Sequence, residues 1–188
     1  TNPIDNSTKQ FVQFQHWLFS KAVQKEMSGA GKSFRRKISK FWEIWPMPPK
    51  IESPMNVIYV DGIYLGRKAC ILICCNERYV LGWYLCRYEN SRAWEALMQR
   101  IAAPAMVVSD GGHGFRKALK RVWPKAKLQR CTFHAFIQVK RYTTGSPKTI
   151  AGIEMYMIAK DLLMIKDMEQ AGHWVTRLIN WRIRHKAF

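Results

Sequence analysis

Val57-Ile58-Tyr59-Val60-Asp61-Gly62-Ile63-Tyr64 is a run of β-branched and aromatic residues interrupted by one carboxylate and one glycine. Such side chains suit a pleated, half-buried surface, so the run predicts a strand. Two further apolar runs follow closely, Lys68 to Cys75 and Tyr79 to Tyr88. Leu65-Gly66-Arg67 and Asn76-Glu77-Arg78 are short enough to join them as turns. Three consecutive strands with short turns form an antiparallel meander.

Downstream the period changes. Asn90 or Ser91 caps a helix in which Trp94, Leu97, Met98 and Ile101 recur at i, i+3, i+4, i+7, and Pro104 stops it. Ala105 to Asp110 is a short apolar strand of the kind buried on both faces. Gly111-Gly112-His113-Gly114 turns the chain into a helix carrying Phe115, Ala118, Leu119 and Val122 on one side. Ala126 to Thr132 predicts a further strand, and Phe133 to Tyr142 a further helix. The order β-β-β-α-β-α-β-α predicts an α/β fold, a mixed sheet flanked by helices. Right-handed crossovers place the strand ending in Asp110 beside the strand carrying Asp61, the ribonuclease-H-like arrangement.

Upstream, Ser7 and Gln10 have capping-box spacing, and Phe11, Phe14 and Leu18 follow at helical spacing. A short polar helix is expected over Lys21 to Met27, and another from Lys32 to about Trp42 after Ser28-Gly29-Ala30-Gly31. The last buries Phe34, Ile38, Phe41 and Trp42 and shows Arg35, Arg36, Lys37 and Lys40. Helix, small-residue turn and basic helix outline a helix-turn-helix, and equally a small bundle with a solvated basic face. Trp45-Pro46-Met47-Pro48-Pro49 reads as a linker. Three segments are expected: an N-terminal helical DNA-binding segment (1–50), a core (51–148) and a helical C-terminal part (149–188). In the last, Met155, Met157, Met164 and Met168 are expected to fill a core.

Composition narrows the function classes. The 188 residues are 48% hydrophobic, so a disordered chain is excluded. No apolar run is long enough to span a membrane, and Thr1 to Gln10 has no signal-peptide core. Five cysteines, an odd number mostly within apolar runs, suit reduced thiols and a cytoplasmic protein. A formal net charge of +18 calls for a polyanionic partner, with DNA ahead of a membrane surface. Between Asp110 and Glu154 the chain carries Arg116, Lys117, Lys120, Arg121, Lys125, Lys127, Arg130, Lys140, Arg141 and Lys148 without one acid. A solvated helix face ordinarily mixes signs, so this stretch looks like a phosphate-tracking surface.

Asp61 and Asp110 are the candidate chemistry. An aspartate in an apolar strand is costly unless it has a task, although each also precedes a glycine and could serve a turn or a cap. On neighbouring strands the pair would repel unless a cation sat between, and Mg²⁺ or Mn²⁺ accepts carboxylates while leaving room for phosphate and water. Cys131-Thr132-Phe133-His134 is a C-x-x-H without the second half of a zinc site, since His173 and His185 are badly spaced. His113 lies in a turn that matches no phosphate-loop pattern.

Taken together and in this order, Tyr59-Val60-Asp61-Gly62, Val107-Val108-Ser109-Asp110-Gly111 and Cys131-Thr132-Phe133-His134 resemble Mutator-type DDE transposases of bacterial insertion sequences. The resemblance implies a ribonuclease-H-like core preceded by a DNA-binding region and interrupted by a helical insertion. It implies that Asp61 and Asp110 are catalytic metal ligands, with Cys131 and His134 as an accessory pair. It further implies cleavage and strand transfer at transposon ends, with transposon and target DNA as partners, and a homodimer associated with the nucleoid. A third acid is not evident. It is either Glu154, 44 residues beyond Asp110, or outside a chain that stops within the insertion. Two other readings remain: a non-catalytic, transposase-derived DNA-binding protein, and a ribonuclease-H-like nuclease using Asp61, Asp110 and Glu154.

Overall fold

The computed structural model describes residues 6–42 and 49–186, so most of the expected proline-rich linker lies outside the described residues. The meander forms as expected: β1 (Val57–Leu65), β2 (Ala69–Cys75) and β3 (Val80–Cys86). Their antiparallel register pairs Asp61 with Ile73 and Leu72 with Tyr84. Then come α3 (Ser91–Met98), β4 (Met106–Ser109), α4 (His113–Val122), β5 (Lys127–Arg130) and α5 (Thr132–Thr143). The five strands are ordered β3-β2-β1-β4-β5, and β4 runs parallel to β1, pairing Tyr59 with Val108. This is the ribonuclease-H-like mixed sheet.

The chain divides into two compact units, 1–108 with 112–128 and 109–111 with 129–188. The first unit has two cores, one on each face of the meander. On one face Ile58, Val60, Cys70, Leu72 and Cys74 meet Trp94, Leu97 and Met98 of α3 and Phe115, Ala118 and Leu119 of α4. Alternation along β1 and β2 sends these residues to one side, and the 3.6-residue period does the same for the helices. Asn90 caps α3 by accepting the Ala93 N–H at 3.0 Å, and the rings of Trp94 and Phe115 meet edge-on with centroids 5.1 Å apart. Arg116, Lys117, Lys120 and Arg121 take the outer face of α4.

On the other face lie α1 (Ser7–Phe19) and α2 (Lys32–Ile38), the latter followed by a 3₁₀ turn (Ser39–Trp42). Phe14, Trp17, Leu18, Phe34, Ile38 and Phe41 bury themselves with Ala69 of β2 and Leu85 of β3. Lys68 ties this layer down: its ammonium donates to the carbonyls of Trp17 and Ser20, both at 2.6 Å, at the C-terminal end of α1. A cation there satisfies carbonyls that the helix leaves open.

Two expectations for this region fail. Asn6, not Ser7, occupies the cap position of α1, and it makes no side-chain cap bond. The helix expected over Lys21 to Met27 is only a 3₁₀ turn, Gln24–Glu26. Ser20 Oγ accepts the Ala22 N–H and the Glu26 carboxylate accepts the Val23 N–H, so local side chains outcompete helical bonding.

In the second unit, α5 is followed by α6 (Ile150–Asp161), a 3₁₀ turn (Leu162–Met164) and α7 (Met168–Arg184). The inner side of α6 is Ala151, Gly152, Ile158 and Ala159. The indole N–H groups of Trp174 and Trp181 donate to the carbonyls of Ile158 and Ala151, at 2.7 and 2.9 Å. The expected methionine core does not form: Met157, Met164 and Met168 are exposed, and Met155 is only half-buried. Small residues let α7 approach α6 closely, and its indoles take the space that methionines were expected to fill.

Candidate active-site and nucleic-acid surfaces

In the first unit, Asp61 sits within β1 rather than at a turn. Ile58 and Val60 are buried, whereas Tyr59, Asp61 and Ile63 are exposed. The strand's alternation therefore presents the Asp61 carboxylate on an open stretch of sheet, and its Oδ1 accepts the Gly62 N–H at 2.8 Å. An exposed carboxylate with free oxygen lone pairs can take a hard cation.

Behind it is an acid that the sequence reading passed over. Glu89 is half-buried at the end of the meander, where the Tyr64 hydroxyl donates to its Oε2 and the Trp94 indole N–H to its Oε1, both at 2.9 Å. Donation to Glu89, helped by burial, pushes the Tyr64 phenol up to about 12. Gly62 makes room for this group: a Cβ there would lie 3.1 Å from Glu89 Oε2 and 3.3 Å from Cys70 Sγ. The available signal was a glutamate directly following an apolar strand and directly preceding a helix cap. Its partners lie 25 residues upstream and five downstream.

Burial disfavours ionisation of the buried thiols of this unit. Burial raises Cys70 to about 11 and Cys86 to about 12, and moves Cys74 upward as well. The exposed cations Arg35, Arg36, Lys37 and Lys40 lie on α2 and the turn after it, and Arg116, Lys117 and Lys120 on α4. Arg121 is less free than expected, because its guanidinium holds Glu95 at 2.8 Å. His113 opens α4 and is exposed.

In the second unit, Asp110 follows β4 directly and is exposed. Ser109 anchors it: this residue is 1% exposed, its Oγ accepts the Gly111 N–H at 3.1 Å and its carbonyl accepts the Cys131 N–H at 2.7 Å. Gly111 has φ +86°, a left-handed turn that glycine adopts without strain. Arg130 stands beside it and donates to Gln138 Oε1 at 2.6 Å. Cys131 occupies the cap position of α5, and His134 lies in the helix's first turn with its Nδ1 buried and unpartnered. Lys140 and Arg141 are exposed near the end of α5.

Glu154, the acid left open as a third ligand, is paired within its own unit. Its carboxylate is held by Arg184 and His185, each at 3.0 Å, and these contacts keep its pKa below the ordinary value. Ile150, Ile153 and Met157 of the same helix are exposed. Among the described residues, no three His, Cys, Asp or Glu side chains gather as a metal cage. No helix among them is long and apolar enough to cross a membrane.

Comparison with known proteins adds three findings. The family model described as "Transposase, Mutator family" matches residues 69–184. The chain is 28% identical over 124 residues to the transposase for insertion sequence element IS905 of Lactococcus lactis, covering 57% of this chain and 30% of that protein. It is also 28% identical over 125 residues to the transposase for insertion sequence element IS6120 of Mycolicibacterium smegmatis, covering 56% of this chain and 38% of that protein. The match thus spans roughly a third of the length of these relatives. The family match includes Asp110, Cys131 and His134 and begins eight residues after Asp61.

Proposed function

Because the chain belongs to the Mutator family of transposases, we propose that it supplies part of the DNA-cleaving core of such an enzyme, with Asp61 and Asp110 as carboxylates for Mg²⁺ or Mn²⁺. One observation carries the reading: the parallel register pairs Tyr59 with Val108, and each aspartate comes two residues later in the chain. Both aspartates are exposed, one within an apolar strand and the other directly after one. The donor set suits the ion, because magnesium ordinarily takes one or two carboxylates and fills its shell with water and phosphate oxygens. When bound, such ions polarise the scissile phosphate and lower the pKa of the attacking water.

The remaining roles belong to the chain itself. Arg35, Arg36, Lys37 and Lys40 offer one exposed cationic surface to the phosphate backbone, and Arg116, Lys117 and Lys120 offer another. Arg130, Lys140 and Arg141 add a third. Such contacts hold DNA by charge, so affinity falls steeply with salt, with a log–log slope of about −0.9 per phosphate neutralised. Ser109 and Gly111 fix the backbone on either side of Asp110, and Cys131 is bonded to the same turn. DNA at transposon ends and at the target is the proposed substrate, and a homodimer the proposed working form.

Divalent-ion binding tests the aspartates without requiring turnover. Mn²⁺ binding, followed by electron paramagnetic resonance, is expected to weaken at least tenfold in both Asp61→Asn and Asp110→Asn. Salt-sensitive binding to duplex DNA should persist in both variants. Equal Mn²⁺ affinity in the wild type and the two variants would remove the metal role.

A further inference from the structure

The first unit contains a cleft that the cleavage reading leaves unused. It lies between the end of α1, the turn that follows it and the β1–β2 turn, and encloses about 550 Å³. That volume is in the range of small-molecule sites. Trp17, Leu18, Phe19, Val23 and Leu65 give it apolar and aromatic walls, and Lys21, Arg67 and Arg87 stand among its lining residues. Among the described residues, no Asp or Glu lines it. Lys68 also lines it, but its ammonium is committed to the carbonyls of Trp17 and Ser20 and lies 5.1 Å from the centre of the Trp17 ring. Trp17 is 4% exposed, so it backs the cleft wall rather than opening into it.

We infer that this cleft receives the base of one unpaired DNA nucleotide while the rim cations hold its flanking phosphates. The inference rests on the DNA-binding reading above. The occupant follows from the chemistry of the walls. A flat body with apolar faces is needed to fill the aromatic part, and an anionic attachment is needed to match the three cations of the lining. A nucleotide is both. Within a duplex the base is closed into the stack, so only an unpaired or extruded nucleotide can offer it. Position agrees: Leu65 lies four residues along β1 from Asp61, about 13 Å at strand rise. A strand passing Asp61 would reach the cleft within roughly four nucleotide steps.

Fluorescence anisotropy with the 188-residue chain and labelled duplexes of one sequence tests this. One duplex is fully paired, one carries a single bulged nucleotide, and one carries a bulged abasic site. The bulged base is expected to bind at least tenfold tighter than the paired duplex, and the abasic bulge to lose that advantage. Val23 and Arg67 are both exposed, so their substitution spares the core. Val23→Trp fills the cleft without changing charge and should reduce the advantage to under twofold. Arg67→Ala should reduce it at least threefold, with circular dichroism unchanged for both. Equal affinity for paired and bulged duplexes overturns the inference but leaves DNA binding standing. So does an abasic bulge that binds as tightly as the base, or a Val23→Trp variant that keeps the full advantage. Failure to bind any of the three duplexes overturns the DNA reading itself, and the cleft assignment with it.

Discussion

Phe14→Ala tests whether the N-terminal helices and the meander form one cooperative structure. Phe14 is fully buried, and its ring lies 5.0 Å from that of Trp42, 5.8 Å from Phe41, 6.3 Å from Phe11 and 6.4 Å from Trp17, centroid to centroid. Truncating a core phenylalanine costs about 3–5 kcal/mol, and aromatic pairs contribute about 0.5–1.5 kcal/mol each beyond area burial. With four ring neighbours among the described residues, the expected loss is at the upper end, about 4–5 kcal/mol. For a chain of this size that lowers the melting temperature by roughly 8–20 °C. The location of the effect is more informative than its size. The same cluster includes Ala69 of β2 and Leu85 of β3. Hydrogen exchange, read segment by segment, should therefore show protection lost at 69–75 and 80–86 as well as at 7–42. A loss confined to 7–42, with β2 and β3 as protected as in the wild type, would refute the shared core. So would a destabilisation below about 1 kcal/mol, which a fully buried ring in an aromatic cluster does not permit.

Two further outcomes follow from groups whose chemistry is set by their neighbours. The Glu154 carboxyl has a pKa below its ordinary 4.5 in the folded chain, so the folded state binds fewer protons than the unfolded state. Its contribution is complete above pH 4.5 and lost as pH falls through the lowered value. Glu154→Gln should therefore flatten the acid limb of unfolding of the helical C-terminal unit, monitored by Trp174 and Trp181 fluorescence. An unchanged limb would show that Arg184 and His185 do not hold this carboxylate. For the thiols, Cys70, Cys74 and Cys86 are buried and shifted upward, whereas Cys75 and Cys131 are half-buried. Ellman's reagent at pH 8 should react readily with at most two of the five cysteines in the native chain and with all five in denaturant. Rapid reaction of three or more would contradict the packing of the meander.

The order of elements was legible from short-range pattern alone. Alternation around Asp61, the i, i+3, i+4, i+7 rows of Trp94 and Phe115, and the breaks at Pro104 and Gly111 each concern neighbours in the chain. So do the basic helix faces and the acid-free stretch after Asp110. The three motifs carried the family as well. The misreadings lay where helix signals were weak or ambiguous. Lys21 to Met27 has helix-forming residues, but Ser20 and Glu26 satisfy its backbone instead. The apolar residues of α6 run nearly all round, so periodicity did not distinguish the inner Ala151, Ile158 and Ala159 from the outer Ile153 and Met157.

The amino-acid order was enough to specify most of the strand-helix succession, the positive surface and two aspartates, one within a strand and one just after another, because those properties depend on nearby residues or on composition. It could not specify that Glu89 lies behind Gly62 in the grip of Tyr64 and Trp94, or that Glu154 is taken up by Arg184 and His185. Nor could it show a cleft bringing Trp17 together with Leu65 and Arg87. Each of these brings together residues from separate elements. Hydrogen bonds and cavities depend on ångström-scale separations that exist only after the sheet and helices have packed.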